Sequence, residues 1–255
     1  MLIPGFSISG SGAKRILVRG IGPALDEFSV SDFLLDPTLT VFDQATGSAI
    51  AANDDWATGQ DVAELMATFT EAGAFPLQPG SKDAAVLLEL PAGGYTAQLA
   101  GVGGTTGVGL VEVYDVDSAS TTSRLVNISG RAQVGIGGGI LIPGFVVGGG
   151  SASKRFLIRA VGPGLEDFDV TGILADPQLT VFDKAGPIGA SDDWEDATNA
   201  DEIESISATI GAFPLEAGSA DAAILIELPG GSYTIHVAGV GGTTGVALVE
   251  IYEVD

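Results

Sequence analysis

The chain is one module written twice. LIPGF at Leu2–Phe6 returns at Leu141–Phe145, and KRILVRGIGPAL (Lys14–Leu25) returns as KRFLIRAVGPGL (Lys154–Leu165). DPTLTVFD (Asp36–Asp43) returns as DPQLTVFD (Asp176–Asp183), and AGVGGTTGVGLVEVYDVD (Ala100–Asp117) as AGVGGTTGVALVEIYEVD (Ala238–Asp255). The offset between copies stays within 138 to 140 residues, so only short loop changes separate them. Any fold for this chain must therefore be built from a unit of roughly half its length. What repeats is mostly strand and turn, a scaffold more than a reactive constellation. Such repetition points first to an extended surface or fibre protein.

Alternation places the strands. In RILVRGI, Ile16 and Val18 face one way while Arg15, Leu17 and Arg19 face the other, and Phe156 and Ile158 repeat the pattern. Val86, Leu88 and Leu90 share a face opposite Glu89. Tyr95, Ala97 and Leu99 form an inner row matched by Tyr233, Ile235 and Val237, and Val111 and Val113 lie opposite Glu112. Glycine and proline break these runs at Pro91–Gly94 and Pro229–Gly231, which read as hairpin turns, and GVGGTTG reads as a wide hairpin loop.

One helix interrupts the strands. After Trp56, the residues Val62, Leu65, Met66 and Phe69 form an apolar stripe at helical spacing, and copy two offers Ile203, Ile206 and Ile210. Asp61 and Asn199 stand ahead as caps. The expectation is an all-β chain of two tandem antiparallel β-sandwich modules, jelly-roll-like, each with one short helix packed over an end. The expected domains are residues 1–117 and 131–255, joined by a Ser/Thr linker at 118–130 that runs into a strand. Ser118–Ser123 is a candidate hinge. That strand, RLVNISGRAQVG, leads copy two and has no counterpart ahead of copy one. Either the chain is a piece of a longer array, or copy one borrows the strand from another subunit by β-augmentation.

Composition limits the partners. Thirty-three acidic residues against ten basic ones give a net charge of −23, yet 45% of residues are hydrophobic and the mean hydropathy is +0.38. Both can hold only if apolar and acidic residues are sorted inside and outside. The acidity argues against nucleic acid and anionic membranes, which require basic patches. No apolar run approaches the ~18 residues of a membrane span. Cysteine is absent, which removes disulfides and thiolate metal sites. MLIPGFSISGSG lacks the basic start and unbroken apolar stretch of a signal peptide, so an export signal is expected outside this chain.

The order RLVNISGRAQVG, LIPGFVVGG, KRFLIRAVGPGL, LADPQLTVFD, SDDW, LPGGSYTIHVAGVGGTTGVALVEIYEVD resembles a repeat of exported proteins from Verrucomicrobia-like and related bacteria. The resemblance covers essentially all of both copies. The stretch from VFD through DDW to GGSYTIHVAG is also similar to the bacterial pre-peptidase C-terminal domain. That similarity implies a secreted β-sandwich with roles in adhesion, substrate attachment or secretion, and some such domains bind calcium. It places the chain outside the cell or on its surface, although no protease or other enzyme accompanies the domain here.

Three sets of residues are candidates for function. Asp43, Asp54 and Asp55, with Asp183, Asp192 and Asp193, cluster beside turns and could give a calcium ion part of its oxygen shell. The alternative is that they cap turns and stay solvated. Trp56 and Trp194, the only tryptophans, could stack on a polysaccharide or plug the end of a core. Lys14, Arg15 and Arg19, with Lys154, Arg155 and Arg159, supply six of ten positive charges. They could dock a neighbouring module head to tail, or pair within their own domain.

Catalysis has little material. His236 is the only histidine, and Gln98 replaces it in copy one. No nucleophile elbow is present, and GIGP (Gly20–Pro23) lacks the rest of a phosphate loop. No enzymatic activity and no cofactor other than calcium is expected. Self-association is the expected partnership.

Overall fold

The computed structural model describes residues 2–116, 122–148 and 153–254. It divides into two compact units, residues 1–126 and 127–255. In the first unit the strands are β1 (Ile3–Gly10), β2 (Lys14–Ile21), β3 (Pro37–Asp43), β4 (Ala49–Asn53), β5 (Ala84–Leu90), β6 (Gly93–Gly101) and β7 (Leu110–Asp115). One helix, α1 (Val62–Ala72), lies between β4 and β5. The division falls within β8 (Ser123–Val134). The second unit continues with β9 (Gly144–Val147), β10 (Lys154–Val161), β11 (Pro177–Asp183) and β12 (Gly186–Ser191). Helix α2 (Ala200–Ile210), β13 (Ala222–Leu228), β14 (Gly231–Gly239) and β15 (Gly245–Val254) complete it. Residues 118–121 of the expected linker and hinge lie outside the described residues; from Ser123 onward that segment is strand.

Each unit holds two antiparallel sheets. In the first, β4-β3-β6-β1 form one sheet and β5-β2-β7 the other. In the second, the order β12-β11-β14-β9 repeats the first sheet, and β13-β10-β15 repeats the second with β8 added beyond β15. Phe6, Leu39, Val41, Tyr95 and Ala97 pack face to face with Ile16, Val18, Ala84 and Val86. Fully burying a side chain of this size contributes about 1.5–3 kcal/mol.

The β5-β2-β7 sheet is buried on its other face as well. Leu17, Ile21 and Ala85 turn away from the sandwich and pack with Trp56, Leu65 and Phe69 beneath α1. In the second unit Leu157, Ala223 and Val254 pack with Trp194 and Ile203. Each unit therefore has three layers, sheet on sheet on helix. The expected placement of the helix over an end is corrected: it covers a sheet face. The reason is legible in KRILVRGI, where both alternating rows carry large aliphatic residues, Ile16 and Val18 on one and Leu17 and Ile21 on the other, as a strand covered on two sides requires.

Two further expectations change. Pro91–Gly94 joins β5 to β6, which lie in different sheets, and Pro229–Gly231 does the same for β13 and β14. These are arches between sheets, fastened by Tyr95 Oη and Tyr233 Oη donating to the Pro91 and Pro229 carbonyls at 2.9 Å each. GVGGTTG likewise links β6 to β7 across the sandwich. Glycine marks a reversal of the chain but does not say whether the flanking strands pair. Met66 is exposed, and Thr68 takes the buried position, its hydroxyl donating to the Glu64 carbonyl at 2.9 Å. Asp61 caps α1 by accepting from the Glu64 amide at 3.1 Å, whereas Asn199 makes no side-chain cap.

Candidate functional site

The basic residues do not form an exposed docking stripe. Arg19 and Arg159 are 0% exposed. Their position on the helix-facing side of β2 and β10 carries each guanidinium into the layer under the helix. Arg19 Nε lies 3.1 Å from Glu112 Oε2, and Nη1 donates to the Phe75 carbonyl at 2.7 Å. The guanidinium carbon sits 4.3 Å from the centre of the Phe75 ring and 4.8 Å from that of Phe69. Arg159 repeats this with Glu250 at 3.1 Å, the Phe213 carbonyl at 2.7 Å and the Phe213 ring at 4.4 Å. Tyr114 and Tyr252 donate to Glu112 and Glu250 at 2.7 Å each. Burial lowers the Arg19 pKa against the opposing pull of Glu112, and burial next to a carboxylate pushes both tyrosines well up. The other four candidate cations pair within their own units. Lys14 meets Asp115 at 3.0 Å, Arg15 meets Glu64, Lys154 meets Glu253 at 2.9 Å and Arg155 meets Glu202 at 2.8 Å. All six thus lie beside a carboxylate of their own unit.

Asp83 and Asp221, both fully buried, were not singled out by sequence. Asp83 Oδ1 accepts from the Gly22 amide at 2.8 Å and the Ala24 amide at 3.3 Å. Asp221 Oδ1 accepts from Gly162 at 2.8 Å, and its Oδ2 from Gly164 at 3.1 Å and Ser219 Oγ at 2.9 Å. The GIGP and VGP segments thus present backbone amides to an anion, and the anion is the protein's own carboxylate. A Cβ on Gly22 or Gly162 would lie 2.0 or 1.9 Å from the Leu34 or Leu174 carbonyl oxygen, so only glycine fits there. The backbone carbonyls of Asp83 and Asp221 accept from the backbone amides of Trp56 and Trp194 at 2.8 Å each. Asp221→Ala leaves those amides without an acceptor and is expected to lower the stability of the second unit by about 2–3 kcal/mol. Asp221→Asn should lose less; urea denaturation followed by Trp194 fluorescence measures both. The available signal was DAA before a strand in both copies.

The acidic turns are held locally. Asp43 accepts from the Thr46 amide at 2.8 Å, and Asp183 from Ala185 and Gly186 at 2.7 and 3.1 Å. Asp55 pairs with Lys82 at 3.0 Å. Asp192 has its pKa raised by partial burial and by Asp176, Asp193 and Asp196. Among the described residues no three acidic or histidine side chains gather as a metal-binding group. His236 is half-buried with its ring 4.3 Å from that of Phe182.

Trp56 and Trp194 are 0% and 5% exposed, and their indole nitrogens donate to the Gln78 and Glu216 carbonyls at 3.2 and 3.3 Å. They are not presented for stacking on a sugar. They fill the layer between sheet and helix.

The units differ most at β7 and β15. In the second unit β15 is flanked by β10 and β8, and Val249 and Ile251 are 2% and 5% exposed. Their counterparts Val111 and Val113 are only half-buried, and Val108 and Leu110 are 48% and 38% exposed. Among the described residues β7 has β2 on one side and no strand of its unit on the other.

No family model matches the chain, nor does any curated protein. Among solved structures it is similar at 10% identity to PNGF-II, with a TM-score of 0.22, covering 98% of this chain and 59% of that one. Similarity to Sulfolobus turreted icosahedral virus reaches 11% identity and a TM-score of 0.21, covering 98% of this chain and 87% of the other. For the infectious bursal disease virus Gx strain the figures are 11%, 0.17, 99% and 72%. Likenesses this slight leave fold and function to be argued from the chain itself.

Proposed function

We propose that this chain is a non-catalytic structural repeat protein of the bacterial surface or extracellular matrix, built of jelly-roll-like modules that associate into a larger assembly. The single observation that carries the reading is the unequal edge: of two closely similar units, one has its β15 edge covered by β8, and the other, among the described residues, has no strand of its unit beside the outer edge of β7. The charged residues that repeat most strictly support it, because Arg19, Asp83 and Glu112 and their counterparts are engaged in holding the fold. The resemblance to exported repeats supports a location outside the cytoplasm.

A second reading, calcium-dependent adhesion, is supported by the resemblance to secreted domains of which some bind calcium. Negative-stain electron microscopy of the concentrated chain tests both readings. Regular filaments or arrays with or without millimolar calcium are the expected result. Assembly only with calcium selects the second reading, and dispersed particles under both conditions reject assembly.

A further inference from the structure

We propose that the outer edge of β7 is an acceptor for one antiparallel strand of the β8 kind, supplied by a separate polypeptide. The second unit provides the template. There β8 pairs with β15 from Gly245↔Val134 through Leu248↔Arg131 and Glu250↔Ser129 to Tyr252↔Asn127. Cross-strand partners share a face, so Ile128, Gly130, Ala132 and Val134 lie on the side of Ile251, Val249 and Ala247, facing the sandwich. Val134 is fully buried in that core. Ser129, Asn127 and Arg131 lie on the helix side.

The same acceptor chemistry is present in the first unit. Leu110, Val111, Glu112, Val113 and Tyr114 stand where Leu248, Val249, Glu250, Ile251 and Tyr252 stand, and β7 pairs with β2 as β15 pairs with β10. What differs is the cover. Sheet edges exposed to water are ordinarily guarded by lysine, proline or a bulge. Leu-Val-Glu-Val-Tyr-Asp has neither lysine nor proline, whereas the edge strand β12 carries Pro187 and its pairing is broken by an irregularity at Val181/Phe182. The incoming strand carries no acid: residues 123–134 contain Arg124 and Arg131, in a chain of net charge −23. Backbone pairing along β7 would supply affinity, and the small-apolar row Ile-x-Gly-x-Ala-x-Val would supply register, as strand addition to an open edge does elsewhere.

This deepens the assembly reading, resting on it only for the source of the strand, and can be tested apart from it. The probe is a fluorescein-labelled peptide of residues 125–135, LVNISGRAQVG, titrated with the full chain by fluorescence anisotropy. Saturable one-to-one binding is expected, weakened at least tenfold by Ile128→Pro in the peptide, which leaves the protein untouched. Register is read by cross-linking, since the chain has no cysteine. Leu110→Cys should form a disulfide with a peptide carrying Arg131→Cys. It should not do so with one carrying Ala132→Cys, whose side chain points to the opposite face. No anisotropy change, or equal cross-linking of both peptides, overturns the proposal. So does a dimer of the full chain, seen by sedimentation, that buries β7 against β7 and excludes the peptide. Binding without filaments rejects only the assembly reading, and filaments without binding reject only this one.

Discussion

Arg159→Met is expected to destabilise the second unit by about 3–5 kcal/mol, the loss typical of removing one partner from a buried ion pair. The magnitude follows from what remains behind. Glu250, itself 6% exposed, would lose its counter-ion in a layer lined by Phe213, Leu157 and Tyr252, keeping the hydrogen bond from the Tyr252 hydroxyl. The Phe213 carbonyl would lose its donor as well. The double variant Arg159→Met/Glu250→Leu separates pairing from packing. Because it removes both charges, it should recover much of the loss, Tyr252 Oη and the Phe213 carbonyl being the polar groups left orphaned. Denaturation followed by Trp194 fluorescence in a Trp56→Phe background reports on this unit. A single variant as stable as the parent would mean that water reaches Glu250 and that the network is solvated. Equal losses in the single and double variants would show that the arginine acts through packing of its stem on Phe213.

That network also shows where the sequence could be read and where it could not. The alternation of KRILVRGI correctly assigned Arg19 to the face opposite Ile16 and Val18. Between docking a neighbour and pairing within the domain the alternation could not choose, although the same face carries Leu17 and Ile21. Once α1 is placed over the sheet, an arginine there must find a carboxylate, and Glu112, in the alternating VEV of the adjacent strand, is the only register-matched acid. Pairing across strands is set by topology, which no local pattern carries. The same limit hid the arches at Pro91 and Pro229. Two strands separated by a glycine turn look alike whether they pair or cross to another sheet. Asp83 and Asp221 were hidden for a related reason, since their partners lie 57 to 61 residues away in sequence. The duplication, by contrast, was legible in full, and comparing the copies exposed the missing cover on β7. The difference at that edge is visible only when Val111 and Val113 are set beside Val249 and Ile251.

Trp194→Ala is the second large effect, expected at about 3–5 kcal/mol of lost stability. An exposed tryptophan that stacked on a ligand would cost almost nothing to truncate in the unbound protein, since surface substitutions ordinarily stay within about 0.5 kcal/mol. Trp194 instead packs with Leu157, Ile203 and Ala223, and its indole donates to the Glu216 carbonyl. A cleft of about 220 Å³ already runs along α2 beside it, lined by Ala208, Pro214 and Leu215 among others. Truncation would extend that cleft into the layer between sheet and helix, where the backbone cannot collapse without dragging α2 off β10 and β13. Trp194→Phe should lose less, because it retains the ring against Ile203 and gives up chiefly the hydrogen bond to Glu216. Thermal denaturation of the two variants ranks them. A loss below about 0.5 kcal/mol for the alanine variant would return Trp194 to the surface and with it the polysaccharide-stacking role. A large loss, graded from phenylalanine to alanine, assigns the tryptophan to the fold.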